Sequence, residues 1–172
     1  PRLNVQMISR AENFRGVAGT IVGGSFSVGD EVVVLPSKKT AKIGQISTFD
    51  GNLQSAEDGK AITLVLEPDV DATRGDVVEL SAKASSPADR FAATVVWLGE
   101  ADLIHSKSYL LISGSTQVPA IVTNIRHVLN INNGEHDAAR VLKTNEIGVV
   151  ELATDSPISL VPYRQNRFKG NF

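Results

Sequence analysis

Residues 14–35, FRGVAGTIVGGSFSVGDEVVVL, decide the fold class. Side chains alternate along a strand, so Val17, Gly19 and Ile21 face one way and Ala18, Thr20 and Val22 the other. This first arm, Phe14–Val22, is apolar or small on both faces. Gly23-Gly24 supplies positive φ where the arm ends. Val28-Gly29-Asp30 makes a second tight turn, with Asp30 placed to hydrogen-bond its own backbone. Glu31–Leu35 then returns as a β-branched run suited to a buried strand, so the stretch reads as a β-hairpin. Small residues on both faces, with glycines at the corners, suit a tightly curved small barrel.

Outward from this stretch the same grammar continues. Residues 4–9 alternate weakly and predict a first strand. In Lys39–Thr48, Ala41, Ile43 and Ile46 stand against Lys42, Gln45 and Ser47, with a slip at Gly44 that predicts a bulge. Phe49-Asp50-Gly51-Asn52 and Ala56-Glu57-Asp58-Gly59 are turn signals. Residues 61–66, AITLVL, read as a buried strand, and 71–80, DATRGDVVEL, as a Gly-Asp turn and a short strand. Residues 81–89, SAKASSPAD, have the composition of a linker, which places a boundary near Ser85 and domains at 1–84 and 85–172. In the second half, 91–98 is almost continuously apolar, 109–112 and 147–152 are short strands, and 157–161 is another. Residues 118–131 are long enough to bend across a barrel corner before an Asn132-Asn133-Gly134 turn. A weak helical period falls at 136–142. Short strands with Gly and Asx turns throughout predict an all-β fold, two consecutive small antiparallel β-barrels.

Composition narrows the function. Of 172 residues, 42% are hydrophobic and 5% aromatic, so aliphatic side chains fill the core. With 17 basic and 19 acidic residues there is no electrostatic footprint for nucleic acid. The absence of cysteine excludes disulfides, thiolate catalysis and Cys-ligated zinc. No run of 18 apolar residues exists and the first residues are not a signal peptide, so a cytoplasmic protein is expected, with no membrane partner. Residue 1 is Pro, and Gly170-Asn171-Phe172 reads as the opening of a strand. Together these suggest an excised fragment whose last strand is truncated, leaving an unpaired edge.

Catalytic patterns are few. The phosphate-cradling loop needs G-x-x-x-x-G-K-[ST], yet at Gly59-Lys60 residue 54 is Gln and Ala61 replaces the hydroxyl that would hold Mg²⁺. Neither Asp-x-x-Gly nor Asn-Lys-x-Asp occurs, so these residues do not bind GTP in the usual way. Glu135-His136-Asp137 reads as a solvated turn rather than a metal site, because metal ligands need spacing and a second shell. His105 and His127 lack any Gly-x-Ser-x-Gly elbow to serve. Arg74-Gly75-Asp76 matches an adhesion tripeptide but reads as a turn before a strand. Trp97, the sole tryptophan, reads as a core or interface residue. Arg15, Lys38, Lys39 and Lys42, and the set Arg164, Arg167 and Lys169, read as solvated faces before phosphate contacts. No catalytic, cofactor-binding or metal-ligating residue is assigned.

The residues at 14–34, Thr48-Phe49-Asp50-Gly51-Asn52-Leu53, Thr63-Leu64-Val65-Leu66 and Arg74-Gly75-Asp76-Val77 resemble the second domain of translational GTPases. Asp89-Arg90-Phe91, Val96-Trp97-Leu98, Ser108-Tyr109-Leu110-Leu111, Asn145-Glu146-Ile147-Gly148, Pro162-Tyr163, Asn166-Arg167 and Gly170 narrow the resemblance. They are similar to the large subunit of GTP-dependent sulfate adenylyltransferase, not to the tRNA-binding third domain of an elongation factor. His105-Ser106-Lys107 and Thr144 depart from that pattern, in or beside loops. The resemblance implies barrels of the translation-factor domain 2 and domain 3 type behind an N-terminal GTPase domain that holds GTP and Mg²⁺. It implies an enzyme that makes adenylyl sulfate and pyrophosphate from ATP and sulfate, for sulfate assimilation and cysteine synthesis. A small partner subunit would carry the adenylyl-transfer site. This stretch, inactive and without a cofactor of its own, would contact both partners. The alternative is the RNA- or tRNA-binding barrels of a translation elongation-type GTPase.

Overall fold

Strands with two apolar faces need partners on both edges, and the first half of the chain supplies them by closing into a ring. The computed structural model describes residues 1–11, 14–130, 134–167 and 169–172. Nine strands come first: β1 (Arg2–Ala11), β2 (Phe14–Val22), β3 (Ser25–Ser27), β4 (Glu31–Leu35), β5 (Lys39–Thr48), β6 (Gly51–Leu53), β7 (Ser55–Glu57), β8 (Ala61–Glu67) and β9 (Val77–Leu80). Pairing runs β4-β9-β1-β2-β8-β5, and β5 pairs back onto β4, so six antiparallel strands form a closed barrel. Strand β6 extends β5 as a hairpin, and β3 pairs with β7.

The ring corrects one expectation. β2 and β4 do not form a hairpin with each other; they lie three strands apart in either direction and are opposite walls. Both edges of β2 are already taken, by β1 and β8, and the connection between β2 and β4 carries β3. Local expectations fit within that ring. Val17, Gly19 and Ile21 are buried while Ala18, Thr20 and Val22 are half-buried. A Cβ at Gly19 would collide with the carbonyl oxygen of Asn4, so this glycine lets β1 and β2 approach. At Asp30 the carboxylate accepts from Ser27 N at 2.8 Å while Asp30 N donates to Ser27 O at 3.1 Å. The β5–β8 register shifts between Ile43 and Gln45, which turns both Ile43 and Ile46 inward. Leu3, Val5, Ile21, Ile46, Leu64 and Val78 are fully buried in one cluster, together with Phe26 of β3 and Ala56 of β7. The barrel is filled by its own side chains.

The first compact unit comprises Pro1–Pro87, Ile112–Gln117 and Ile158–Phe172. The later segments join it through specific bonds: Thr116 Oγ1 donates to Gly75 O at 2.5 Å and Ser113 Oγ to Asn171 O at 2.9 Å. Among the described residues after Ile158 no strand forms. Gln165 N and Asn166 N both donate to Pro162 O, and Gly170 N donates to Asn166 O, so turns use the groups a ladder would need.

The second unit comprises Ala88–Leu111 and Val118–Pro157. Its strands derive from β10 (Ala88–Val96), β11 (Leu103–Ile104), β12 (Ser108–Ser113), β13 (Thr116–Leu129), β14 (His136–Asp137), β15 (Val141–Leu142) and β16 (Ile147–Ile158). They form a sheet in the order β10-β16-β13-β12, with β14 on β13, and a ribbon of β11 and β15. Val118, Ala120, Val122, Val150 and Leu152 are buried on one face. Strand β13 is irregular at two places against β16, consistent with a long strand that bends. Two expectations are corrected. The weak helix at 136–142 is instead β14 and β15, because each finds a strand partner. The strand at 147–152 runs on as β16 to Ile158, with its pairing to β13 reaching Thr154, and 159–161 are not a strand. The apolar run that opens this half forms β10, an edge strand whose side chains alternate between half-buried and exposed. The turn at Asn132-Asn133-Gly134 falls largely outside the described residues; Gly134 has φ +74°.

Candidate functional site

Polar chemistry gathers on the outside of the first barrel. In β1 and β9 the core takes Leu3 and Val78, so their neighbours Arg2 and Glu79, opposite each other in register, face outward. Even so, they are only 4% and 3% exposed, which marks them as buried charges beneath another layer. That layer is the linker and the tail. Ser85 donates to Glu79 Oε2 from its N at 2.6 Å and from its Oγ at 2.8 Å. Arg2 donates from Nη2 to Ser159 O, and the Ser85 and Ser159 hydroxyls bond each other. Arg2 Nε lies 3.8 Å from Glu79 Oε1 and makes no hydrogen bond to a protein group. Burial pulls the Arg2 guanidinium below its ordinary value, and the Glu79 charge opposes that. Burial likewise lowers Lys169, with Glu79 raising it and Arg2 lowering it further. Beside this pair opens a cleft of about 570 Å³, lined by Glu79, Lys83, Ser85, Gln165, Asn166 and Lys169 among others. Its groups can hold a polar or charged segment.

The residues singled out in the sequence do not converge. Arg15 donates to Asp69 and Asp71 at 3.1 Å each, and Lys39 lies 3.7 Å from Asp71. Lys42 stands opposite Glu31 on one side and Glu67 on the other. Arg15 and Lys39 are thus paired with acids rather than pooled for phosphate. Arg74-Gly75-Asp76 is a turn on β1: Gly75 N donates to Val5 O, Val5 N to Asp76 O, and Gly75 has φ +99°. Trp97 donates from Nε1 to Ala101 O at 2.8 Å and meets Tyr109 edge-on at 5.4 Å. Thr144 uses its hydroxyl on Gly99 O at 2.5 Å, and His105 Nδ1 bonds Ser106 Oγ at 2.6 Å.

Two features escaped the sequence. His127 and His136, nine residues apart, stack at 4.1 Å with rings 7° from parallel, because β14 brings one beside the other. Phe49 stands in the β5–β6 turn with its whole side chain in water. Among the described residues no group of three His, Cys, Asp or Glu side chains is placed to hold a metal.

A family model described as GTP-eEF1A C-terminal domain-like matches residues 90–172. Over 172 residues the chain is 42% identical to the bifunctional enzyme NodQ of Azospirillum brasilense, covering 99% of this chain and 28% of that protein. Sulfate adenylyltransferase subunit 1 of Saccharophagus degradans is 38% identical over the same length, with 99% of this chain and 36% of that protein covered. The chain therefore spans 28% to 36% of the length of these curated relatives. The crystal structure of sup35 complexed with GDP superposes with a TM-score of 0.87 at 16% identity, over 98% of this chain and 42% of that one. At that identity the likeness concerns the fold, which is the translation-factor type of β-barrel architecture expected from the sequence.

Proposed function

We propose that this chain, homologous along 99% of its length to a segment of sulfate adenylyltransferase subunit 1 and NodQ, acts in such an enzyme as a contact module and not as its catalyst. The carrying observation is the identity of 38% to 42%, which runs through both compact units rather than one. Synthesis of adenylyl sulfate from ATP and sulfate is strongly uphill, so a GTP-regulated subunit has to change its hold on the adenylyl-transfer subunit as nucleotide turns over. That requires an element with two arrangements and a body stiff enough to convey the difference. A closed ring of six strands with a fully buried aliphatic interior suits the stiff body. GTP and Mg²⁺ would sit in an N-terminal domain, adenylyl transfer in a small partner subunit, and the whole assembly in the cytoplasm.

The test is competition. The chain, added in excess, is expected to displace the full-length large subunit from the small subunit and to form no adenylyl sulfate itself. Undiminished complex at saturating chain, or turnover of ATP and sulfate by the chain alone, contradicts the proposal. The name of the matching family model favours one other reading, RNA-binding barrels of an elongation-type factor. Such binding would weaken steeply with added salt. The pairing of Arg15 and Lys39 with acids argues against it.

A further inference from the structure

Two lysines from distant parts of the chain meet over the outer wall of the first barrel, and neither has a carboxylate of its own. Lys83 ends the short 3-10 turn Ser81–Lys83 that follows β9, and Lys169 lies in the tail. Both line the cleft of about 570 Å³ beside Arg2 and Glu79, and every residue of its lining belongs to the first compact unit. Among the described residues neither lysine forms an ion pair, whereas Arg15 and Lys39 do. Glu79 is the one carboxylate in the lining, and its charge is already engaged. Its Oε2 accepts two hydrogen bonds from Ser85, and its Oε1 stands 3.8 Å from Arg2 Nε. Arg2 therefore balances Glu79, and the two lysines leave the cleft with two uncompensated positive charges. Lys169 is also half-buried. Burial holds its ammonium below the ordinary value, against the Glu79 charge, so this cation sits at a cost that an anion beside it would offset.

We infer that the cleft is a binding site for a small anion carrying two linked phosphate groups, held between Lys83 and Lys169. Ser86 and Gln165, also in the lining, supply a hydroxyl and an amide as further donors. An ammonium is a compact point charge suited to phosphate, while the planar fork that best grips a carboxylate belongs to arginine. Size favours a small molecule as well. Clefts of roughly 300–1,000 Å³ are those that hold small ligands, whereas a stable protein contact covers on the order of 800 Å² per partner. A ligand bridging the two lysines would tie the segment after β9 to the tail.

The test is calorimetric titration of the chain with inorganic pyrophosphate at low ionic strength and without metal. One site is expected, with inorganic phosphate, which has a single group to offer, binding at least about tenfold more weakly. Lys169→Gln and Lys83→Gln should each weaken pyrophosphate about tenfold, the loss of one charge-assisted contact. Lys39→Gln, whose ammonium lies 3.7 Å from Asp71, should bind as the parent does. Lys83 is exposed, so Lys83→Gln should keep the parent's unfolding midpoint; Lys169→Gln removes a half-buried charge and should unfold no earlier than the parent. If the parent does not bind pyrophosphate, or if the three variants all bind alike, the cleft is not the site. Tighter binding of succinate than of pyrophosphate would assign the cleft to carboxylates, and binding of hexaglutamate alone would assign it to an acidic peptide. Either result overturns the inference. None of these outcomes bears on whether the chain grips the small subunit.

Discussion

Strands β4 and β10 are both rich in apolar residues and have opposite fates. β4, EVVVL, has β9 on one edge and β5 on the other, and Val32 and Val34 are fully buried inside the ring. Its outward residues Val33 and Leu35 are also covered, where they cluster with Val77. β10, ADRFAATVV, ends its sheet beside β16 among the described residues, and Val96 keeps 56% of its surface in water. An apolar run thus states what a strand is able to bury. How much it buries depends on how many partners the topology delivers.

The largest expected effect tests whether the covered outer wall matters as much to stability as the interior does. Glu79→Ala leaves the Arg2 charge buried without its carboxylate and should cost about 3–5 kcal/mol, measured by urea unfolding. Glu79→Gln, which keeps the acceptor for Ser85, should cost less. Leu64→Ala, inside the ring, should cost about 2–5 kcal/mol. Val96→Ala, on the edge strand, should shift stability by no more than about 0.5 kcal/mol. Equal costs at 64 and 96 would break the comparison.

The smallest effect concerns the acid cluster. Asp71 is held below its ordinary value of 3.8 by the hydrogen bond from Arg15, then by the charges of Lys39 and Arg15. A carboxylate lowered in the folded state stabilises at pH values above its unfolded pKa, and the contribution is lost as pH falls through the folded one. Asp71→Asn should therefore flatten the acid limb of the stability profile and leave the neutral region almost unchanged, since the group is exposed. Added salt should remove the difference.

Much of the first barrel was legible because its rules are local. The Gly44 bulge showed as a slip in alternation and Asp30 as a turn acceptor, while Gly19 showed only as one small residue of a curved arm. Pairing was not legible. Nothing within residues 14–35 says that β2 and β4 end on opposite walls, because β9, which closes that path, arrives more than forty residues later. The Arg2–Glu79 pair is hidden for the same reason, with its covering partner Ser159 still further along. Two-residue strands such as β14 carry no period of their own, so 136–142 imitates a weak helix. Phe49 was readable as a turn residue, yet whether a turn's ring folds back or stands in water is decided by packing alone.

On the proposed function, this chain grips a partner without performing chemistry. Sedimentation velocity of the chain mixed with the small adenylyltransferase subunit addresses that most directly. A single faster boundary at the summed mass is the predicted result. Two independent boundaries, under conditions where the full-length large subunit gives one, would contradict it.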